Sequence, residues 1–267
     1  MITIFQAVLL GALQGITEFL PVSSSGHLVL VQQIFGWKAE NGIILAFDVA
    51  LHVGTLCAVL VVFRRDIIDV LMGRAWRLFW LVVLATIPAV VMGFGFKNSI
   101  EAMFSSVAVV GYAWLFTGTF LWCTKYIRPS VILSGSEGSP AFGSISWLRS
   151  LLIGCAQAVA IIPGVSRSGS TMSMGMFLKL DGKMAARFSF LMAIPAILGG
   201  AVLDAKDVIA FPREGLPQII IGTVVSFAVA YLSIKWLLSI IQKGKFHWFG
   251  VYCWLLGAGT LVYLYAR

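Results

Sequence analysis

The sequence predicts an all-α polytopic membrane protein, an inverted-topology repeat of six transmembrane helices and two re-entrant helical hairpins. Composition is the first reason: 60% hydrophobic and 11% charged residues, with a mean hydropathy of +0.96, exclude an ordinary soluble domain. The second is internal repetition. Residues 11–28, GALQGITEFLPVSSSGHL, align without a gap on residues 154–171, GCAQAVAIIPGVSRSGST, at an offset of 143 (154 − 11). The third is parity: each half reads as one hairpin followed by three spans, so the second half must enter from the opposite side of the membrane.

Taken in order, the first hairpin is an apolar helix, a Pro- and Ser-rich break, and a second apolar piece over residues 28–35 too short to span. Spans at about 43–63, 78–96 and 103–123 complete the first repeat, residues 1–123. A polar stretch of about 124–147, with SGSEGSP at its centre, reads as a solvated linker. The second hairpin, whose short limb is 172–178, opens the second repeat, 148–267, with spans at 188–203, 217–241 and 246–265. The whole is one membrane domain. MITIFQAVLLGALQG has no basic n-region, so no cleaved signal peptide is expected.

Of the 19 Lys and Arg, twelve fall on one side of these spans (including Arg64, Arg65, Arg74, Arg77, Lys243 and Lys245) and five on the other. The richer side is expected to be cytoplasmic, with both termini outside and the first hairpin entering from outside. The net charge of +8 fits loops facing anionic lipid. No basic run with interleaved aromatics suggests nucleic acid. Cys57, Cys123, Cys155 and Cys253 lie singly in apolar stretches and read as small buried hydrophobes.

The copies differ at the polar positions. Glu18 stands opposite Ile161, Ser24 opposite Arg167 and His27 opposite Ser170. An ionisable group inside an apolar segment is costly, so each is a candidate. Gln14 and Glu18 share a helix face, and Pro21 ends the helix just beyond them. The structural alternative for Glu18 is a carboxyl capping a neighbouring broken helix. Ser23, Ser24, Ser25, Gly26 and His27 place hydroxyls, backbone amides and an imidazole at the next helix start, where anions bind. The serines could equally satisfy broken backbone, while His27 reads as an acid, base or nucleophile.

In PGVSRSGST, Pro163 and Gly164 break the chain, Ser166, Ser168, Gly169, Ser170 and Thr171 supply donors, and Arg167 supplies a fork suited to phosphate. Arg167 pairs with Glu18, holds a substrate anion, or does both. Asp48 and His52, on one face of the first span, are expected either to support the site from behind or to pair for helix packing. Lys235 is expected to snorkel, and His247 to belong to a loop.

With Gln14-Gly-Ile-Thr-Glu18 running into FLPVSSSGH, and PGVSRSGST at 163–171, the chain closely resembles the bacterial undecaprenyl-diphosphate phosphatases of the type marked by (E/Q)xxxE and PGxSRSxxT. The resemblance covers essentially the whole chain. It implies an inner-membrane hydrolase that removes the terminal phosphate of undecaprenyl diphosphate, regenerating the lipid carrier of cell-wall synthesis and bearing on antibiotic resistance. It also implies a site open to the outer face and a divalent cation, Mg2+ or Ca2+, for which Glu18 is the candidate ligand. Its functional positions fall on Gln14, Glu18, Ser24, His27, Ser166, Arg167 and Thr171. Gln14 replaces a second glutamate of some members, leaving Glu18 as the main acidic group. The nucleophile is left open between water, a serine and His27, and a homodimer is left open with the oligomeric state.

A lipid-phosphate flippase on the same inverted-repeat scaffold is the rival reading. It needs the anion clamp but no proton-transfer pair beside it. A phosphatidic-acid-phosphatase relationship is set aside, since no SRxxxxxHxxxD follows Ser25–His27.

Overall fold

Two broken helices organise the molecule. The computed structural model describes residues 2–37, 42–127, 142–203 and 215–266. These form α1 (Ile4–Thr17), α2 (Ser24–Ile34), α3 (Gly42–Val62), α4 (Arg64–Leu71), α5 (Trp76–Gly95), α6 (Lys97–Phe104) and α7 (Val107–Cys123) in the first half. The second half contains α8 (Trp147–Val159), α9 (Arg167–Phe177), α10 (Gly182–Leu203), α11 (Leu216–Gln242) and α12 (Trp248–Tyr265). The described residues contain no strand. Six helices are long and apolar enough to cross a membrane, the third of these segments running on to Tyr126. The SGSEGSP centre of the linker lies outside the described residues.

Helices α1 (14 residues) and α8 (13) are too short to span, at roughly 20 Å each. Both start on hydroxyl caps. Thr3 and Gln6 form a reciprocal capping box, and the Ser146 side chain accepts from the Arg149 amide. Each stops short of its Pro/Gly break, and the chain restarts as the 11-residue α2 or α9. The halves exchange partners: α1 packs on α11 of the other half, and α8 packs on α5. The aligned glycines 11 and 154 make both contacts close. A Cβ on Gly11 would lie 2.6 Å from the Gly222 carbonyl oxygen, and one on Gly154 would strike the Ala85 carbonyl.

The core gathers around the breaks. Phe19 and Phe190 meet edge to face at 5.3 Å, Phe63 packs on the same ring at 5.5 Å, and Trp114 is fully buried beside them. The outer surface is the reverse of a soluble protein's. Leu232, Leu255 and Val262 are 64%, 71% and 67% exposed, an apolar belt suited to lipid.

Two elements differ from the sequence expectation. Residues 97–104 form a separate short helix, because Ser106 caps α7 with its hydroxyl facing the Val109 amide and restarts the chain there. Helix α10 begins at Gly182, earlier than residue 188, and so includes Arg187. The charge is tolerated because Arg187 makes a two-pronged ion pair with Asp66 of α4, one prong being Nε to Oδ2 at 2.7 Å, and lies over the Phe142 ring. Arg77 fixes the same corner by donating to the carbonyls of Phe142 and Ile145.

Removing one partner of this pair strands a buried charge. Asp66→Ala or Arg187→Met should each lower stability in detergent by on the order of 3 kcal/mol. The double replacement Asp66→Leu with Arg187→Met should recover most of that loss in thermal unfolding.

Candidate active site

The two breaks lie against each other. A Cβ on Gly26 would sit 3.1 Å from the Gly164 Cα, and one on Gly169 would sit 3.2 Å from the Pro21 Cβ. These contacts correspond under the 143-residue offset, which carries Pro21 to Gly164 and Gly26 to Gly169. The caps correspond as well. Ser23 Oγ accepts from the Gly26 amide at 3.3 Å, and Ser166 Oγ accepts from the Gly169 amide at 3.0 Å. The neighbouring hydroxyls pair at 3.2 Å in both copies, Ser23 with Ser25 and Ser166 with Ser168. Two helix N-termini, those of α2 and α9, thus begin at one place.

A buried carboxylate lies at this junction. Glu18, 7% exposed, accepts on Oε2 from the Gln14 amide at 2.9 Å and from the Ser24 hydroxyl at 2.6 Å. Its Oε1 takes the Arg167 guanidinium in an ion pair. His52 Nε2 approaches the same carboxylate at 3.6 Å, while its Nδ1 is tied to the Asp48 carbonyl at 2.7 Å. The Asp48 carboxylate accepts on both oxygens from the Gln32 amide, at 3.0 and 2.8 Å. Four side chains from four helices, α1, α2, α3 and α9, therefore converge on one acid.

Most other sequence candidates hold the junction together. Ser168 donates to the Leu20 carbonyl at 3.1 Å. Thr171 bonds the Arg167 carbonyl at 2.8 Å and the Ser189 hydroxyl at 2.6 Å. The Ser166 amide donates to Thr117, whose hydroxyl donates to the Gly164 carbonyl at 3.1 Å. Ser170 is buried in the first turn of α9, its amide bonded to the Ser166 carbonyl.

His27 is not brought into the Glu18 cluster. Its ring lies in an aromatic slot, edge to face with Trp114 and stacked on Tyr252, with ring centroids 5.2 and 5.9 Å away. Nδ1 is tied to the Ser23 carbonyl at 2.7 Å and Nε2 to the Tyr252 hydroxyl at 2.8 Å. Tyr252 and Trp114, whose indole donates to the Val22 carbonyl, escaped the sequence reading. The signal available was their polar tips within apolar spans, each needing a partner. His52, expected with Asp48 either to support the site from behind or to pair for helix packing, stands beside Glu18.

The donor set bears on a metal. Among the described residues no three His, Cys, Asp or Glu side chains cluster as a cation cage. Gln14 Oε1, however, is buried beside Glu18 without a hydrogen-bond partner. One carboxylate and one orphaned amide oxygen suit a hard cation that keeps waters and shares the phosphates of a substrate.

These features define an integral-membrane protein with an acid–guanidinium pair where two broken helices meet. The bacitracin resistance protein BacA family matches residues 7–259, and the chain belongs to that family. Among curated relatives, proteins named undecaprenyl-diphosphatase from Desulfatibacillum aliphaticivorans, Carboxydothermus hydrogenoformans and Desulfosudis oleivorans are 39%, 40% and 41% identical. The matches cover 96%, 97% and 96% of this chain and 97%, 96% and 97% of those proteins.

Gly164 combines a φ of +93° with a Cβ position 2.6 Å from the Val110 carbonyl oxygen, so a side chain is excluded twice. Gly164→Ala should cost about 2 kcal/mol or more in stability. It should also reduce turnover by displacing α9, as phosphate release per folded molecule would register.

Proposed function

We propose that the chain hydrolyses undecaprenyl diphosphate to undecaprenyl phosphate and phosphate at the Glu18–Arg167 centre. The observation carrying this is the Ser24 hydroxyl donating to a buried carboxylate that is itself paired with an arginine, within a family whose curated relatives carry the diphosphatase name. A flippase needs an anion clamp. It has no need of a hydroxyl held by a base, so this hydrogen bond favours chemistry over transport.

Arg167 is the phosphate clamp. In the resting site its charge is balanced by Glu18, and an arriving diphosphate offers the guanidinium a second acceptor at the N-termini of α2 and α9. Glu18 then acts as base toward Ser24. The Ser24 oxygen attacks the terminal phosphorus, its proton passes to Glu18, and the bond to the bridging oxygen breaks, releasing undecaprenyl phosphate. The proton on Glu18 then passes to an oxygen of the departing undecaprenyl phosphate. Water attacks the phosphoserine and gives its proton to Glu18, and that proton returns to Ser24 Oγ as phosphate leaves, restoring both groups. Gln14 Oε1 and Glu18 would hold a Mg2+ or Ca2+ ion, which supplies positive charge for the phosphate oxygens when bound. Ser23, Ser25, Ser166, Ser168 and Thr171 keep the two N-termini together. His27 fixes the start of α2 between Trp114 and Tyr252.

We also infer an inverted arrangement with the basic loops in the cytoplasm, the first break entering from outside, and the centre open to the outer face. A cysteine at position 97 should react with an impermeant thiol reagent in intact cells, and one at position 74 should be shielded. The opposite labelling overturns this orientation.

The activity is tested by phosphate release from undecaprenyl diphosphate by purified protein, with and without EDTA. Arg167→Lys and Arg167→Ala should both lose activity by about 100-fold or more while remaining folded, because a point charge does not replace the guanidinium fork. Groups acting as one unit lose activity non-additively, so Glu18→Ala with Arg167→Ala should be little worse than the poorer single variant. Near-normal turnover in the lysine variant, or multiplicative losses in the double, sinks the composite centre.

A further inference from the structure

Behind the first break lies a groove of about 630 Å³ that the mechanism leaves unused. Its walls come from the end of α1, the break that follows it, the end of α11 and the start of α12, including Thr17, Leu20, Val22, Ile240, Phe249 and Tyr252. Trp236 and Trp248 stand at its open side, 56% and 57% exposed, on the apolar outer surface of the protein. Its few polar tips are spent or peripheral. The Thr17 hydroxyl donates to the Leu13 carbonyl at 2.7 Å, which leaves its methyl for the groove. The Tyr252 hydroxyl is engaged by His27. Lys245, at one end, belongs to the basic segment between α11 and α12, where a long stem lies along apolar surface and the ammonium reaches water.

We propose that this groove is a subsite for the polyprenyl chain of the diphosphate substrate, an inference that rests on the activity proposed above. Three features favour that occupant. The inner wall is the break itself: Val22 lines the groove, and two residues on, Ser24 contacts Glu18, so a chain held there is tethered beside its own reacting end. The groove opens onto the lipid-facing surface, the route by which a membrane-dissolved chain arrives. Its lining is aromatic and branched-aliphatic, shaped for dispersion contact with a methyl-branched chain and without buried donors to define a polar ligand. The gain is specificity: chain contacts made far from phosphorus contribute binding that a short prenyl diphosphate cannot obtain.

The test compares undecaprenyl diphosphate with farnesyl diphosphate on the full-length protein in nanodiscs. Ile240→Trp and, independently, Ile16→Trp fill the groove from membrane-facing positions. Each should raise KM for the long substrate about tenfold with kcat nearly unchanged, and alter farnesyl diphosphate hydrolysis less than twofold. A binding readout separates this from the activity itself. A polyprenyl monophosphate carrying a chain-borne photoreactive group should crosslink to peptides spanning residues 236–252, and excess undecaprenyl phosphate should abolish the crosslink where phospholipid does not. Equal losses for both substrates, no loss with the long one, or competition by phospholipid alone overturns the subsite. Absence of hydrolysis with intact, competed crosslinking overturns the catalytic reading and leaves the groove standing.

Discussion

The structure turns on one constraint: neither Glu18 nor Arg167 can be left alone in a low-dielectric interior. A lone charge there costs several kcal/mol, and its partner must come from within the protein. The partner of Glu18 comes from the other half of the chain, 149 residues away. This requirement brings the two breaks together, and the breaks dictate the rest. Half-length helices need neighbours to cover their ends, and each finds one in a span of the opposite half, α1 on α11 and α8 on α5. The glycines at 11 and 154 allow the close approach that seats both contacts.

What holds the charges also strains the backbone. Ser23 sits at φ 67° without being glycine, a conformation that persists because its carbonyl is fixed by His27 and its hydroxyl by Gly26. His27, Trp114 and Tyr252 therefore act on the start of α2, and through it on the direction of the Ser24 hydroxyl. An imidazole beside a helix break matters even without touching Glu18, because the angle of the Ser24 hydroxyl toward the carboxylate decides whether their hydrogen bond forms.

Much of this was legible beforehand, and for physical reasons. Spans are set by the bilayer's thickness, breaks by Pro21, Pro163 and Gly164, and the meeting of Glu18 with Arg167 by the cost of leaving either unpaired. What was hidden depends on rotamers and crossing angles, which a single sequence does not encode. His27 and His52 lie on helices that both border the junction, and each was a reasonable neighbour for Glu18. The slot between Trp114 and Tyr252 decided against His27, and neither aromatic is near it in sequence. Likewise Arg187 looked like a span boundary until its partner, Asp66, proved to be across the fold. Long-range pairing extends a helix past where hydropathy would end it.

The asymmetry of the repeat then has an electrostatic explanation. Ser24 and Arg167 occupy equivalent positions and converge on the same carboxylate, so a second acid at position 161 would enter the same crossing. A second buried carboxylate there would share one guanidinium with Glu18 and leave one negative charge unpaired in the interior. Ile161 avoids this, and its consequence is visible one turn earlier. Gln157, the counterpart of Gln14, is buried with neither end of its amide hydrogen-bonded among the described residues, because the acid its counterpart serves is missing from this copy. One acid, one guanidinium and one hydroxyl form a resting centre in which the guanidinium charge is balanced. Two identical copies could build the crossing but could not supply that balance.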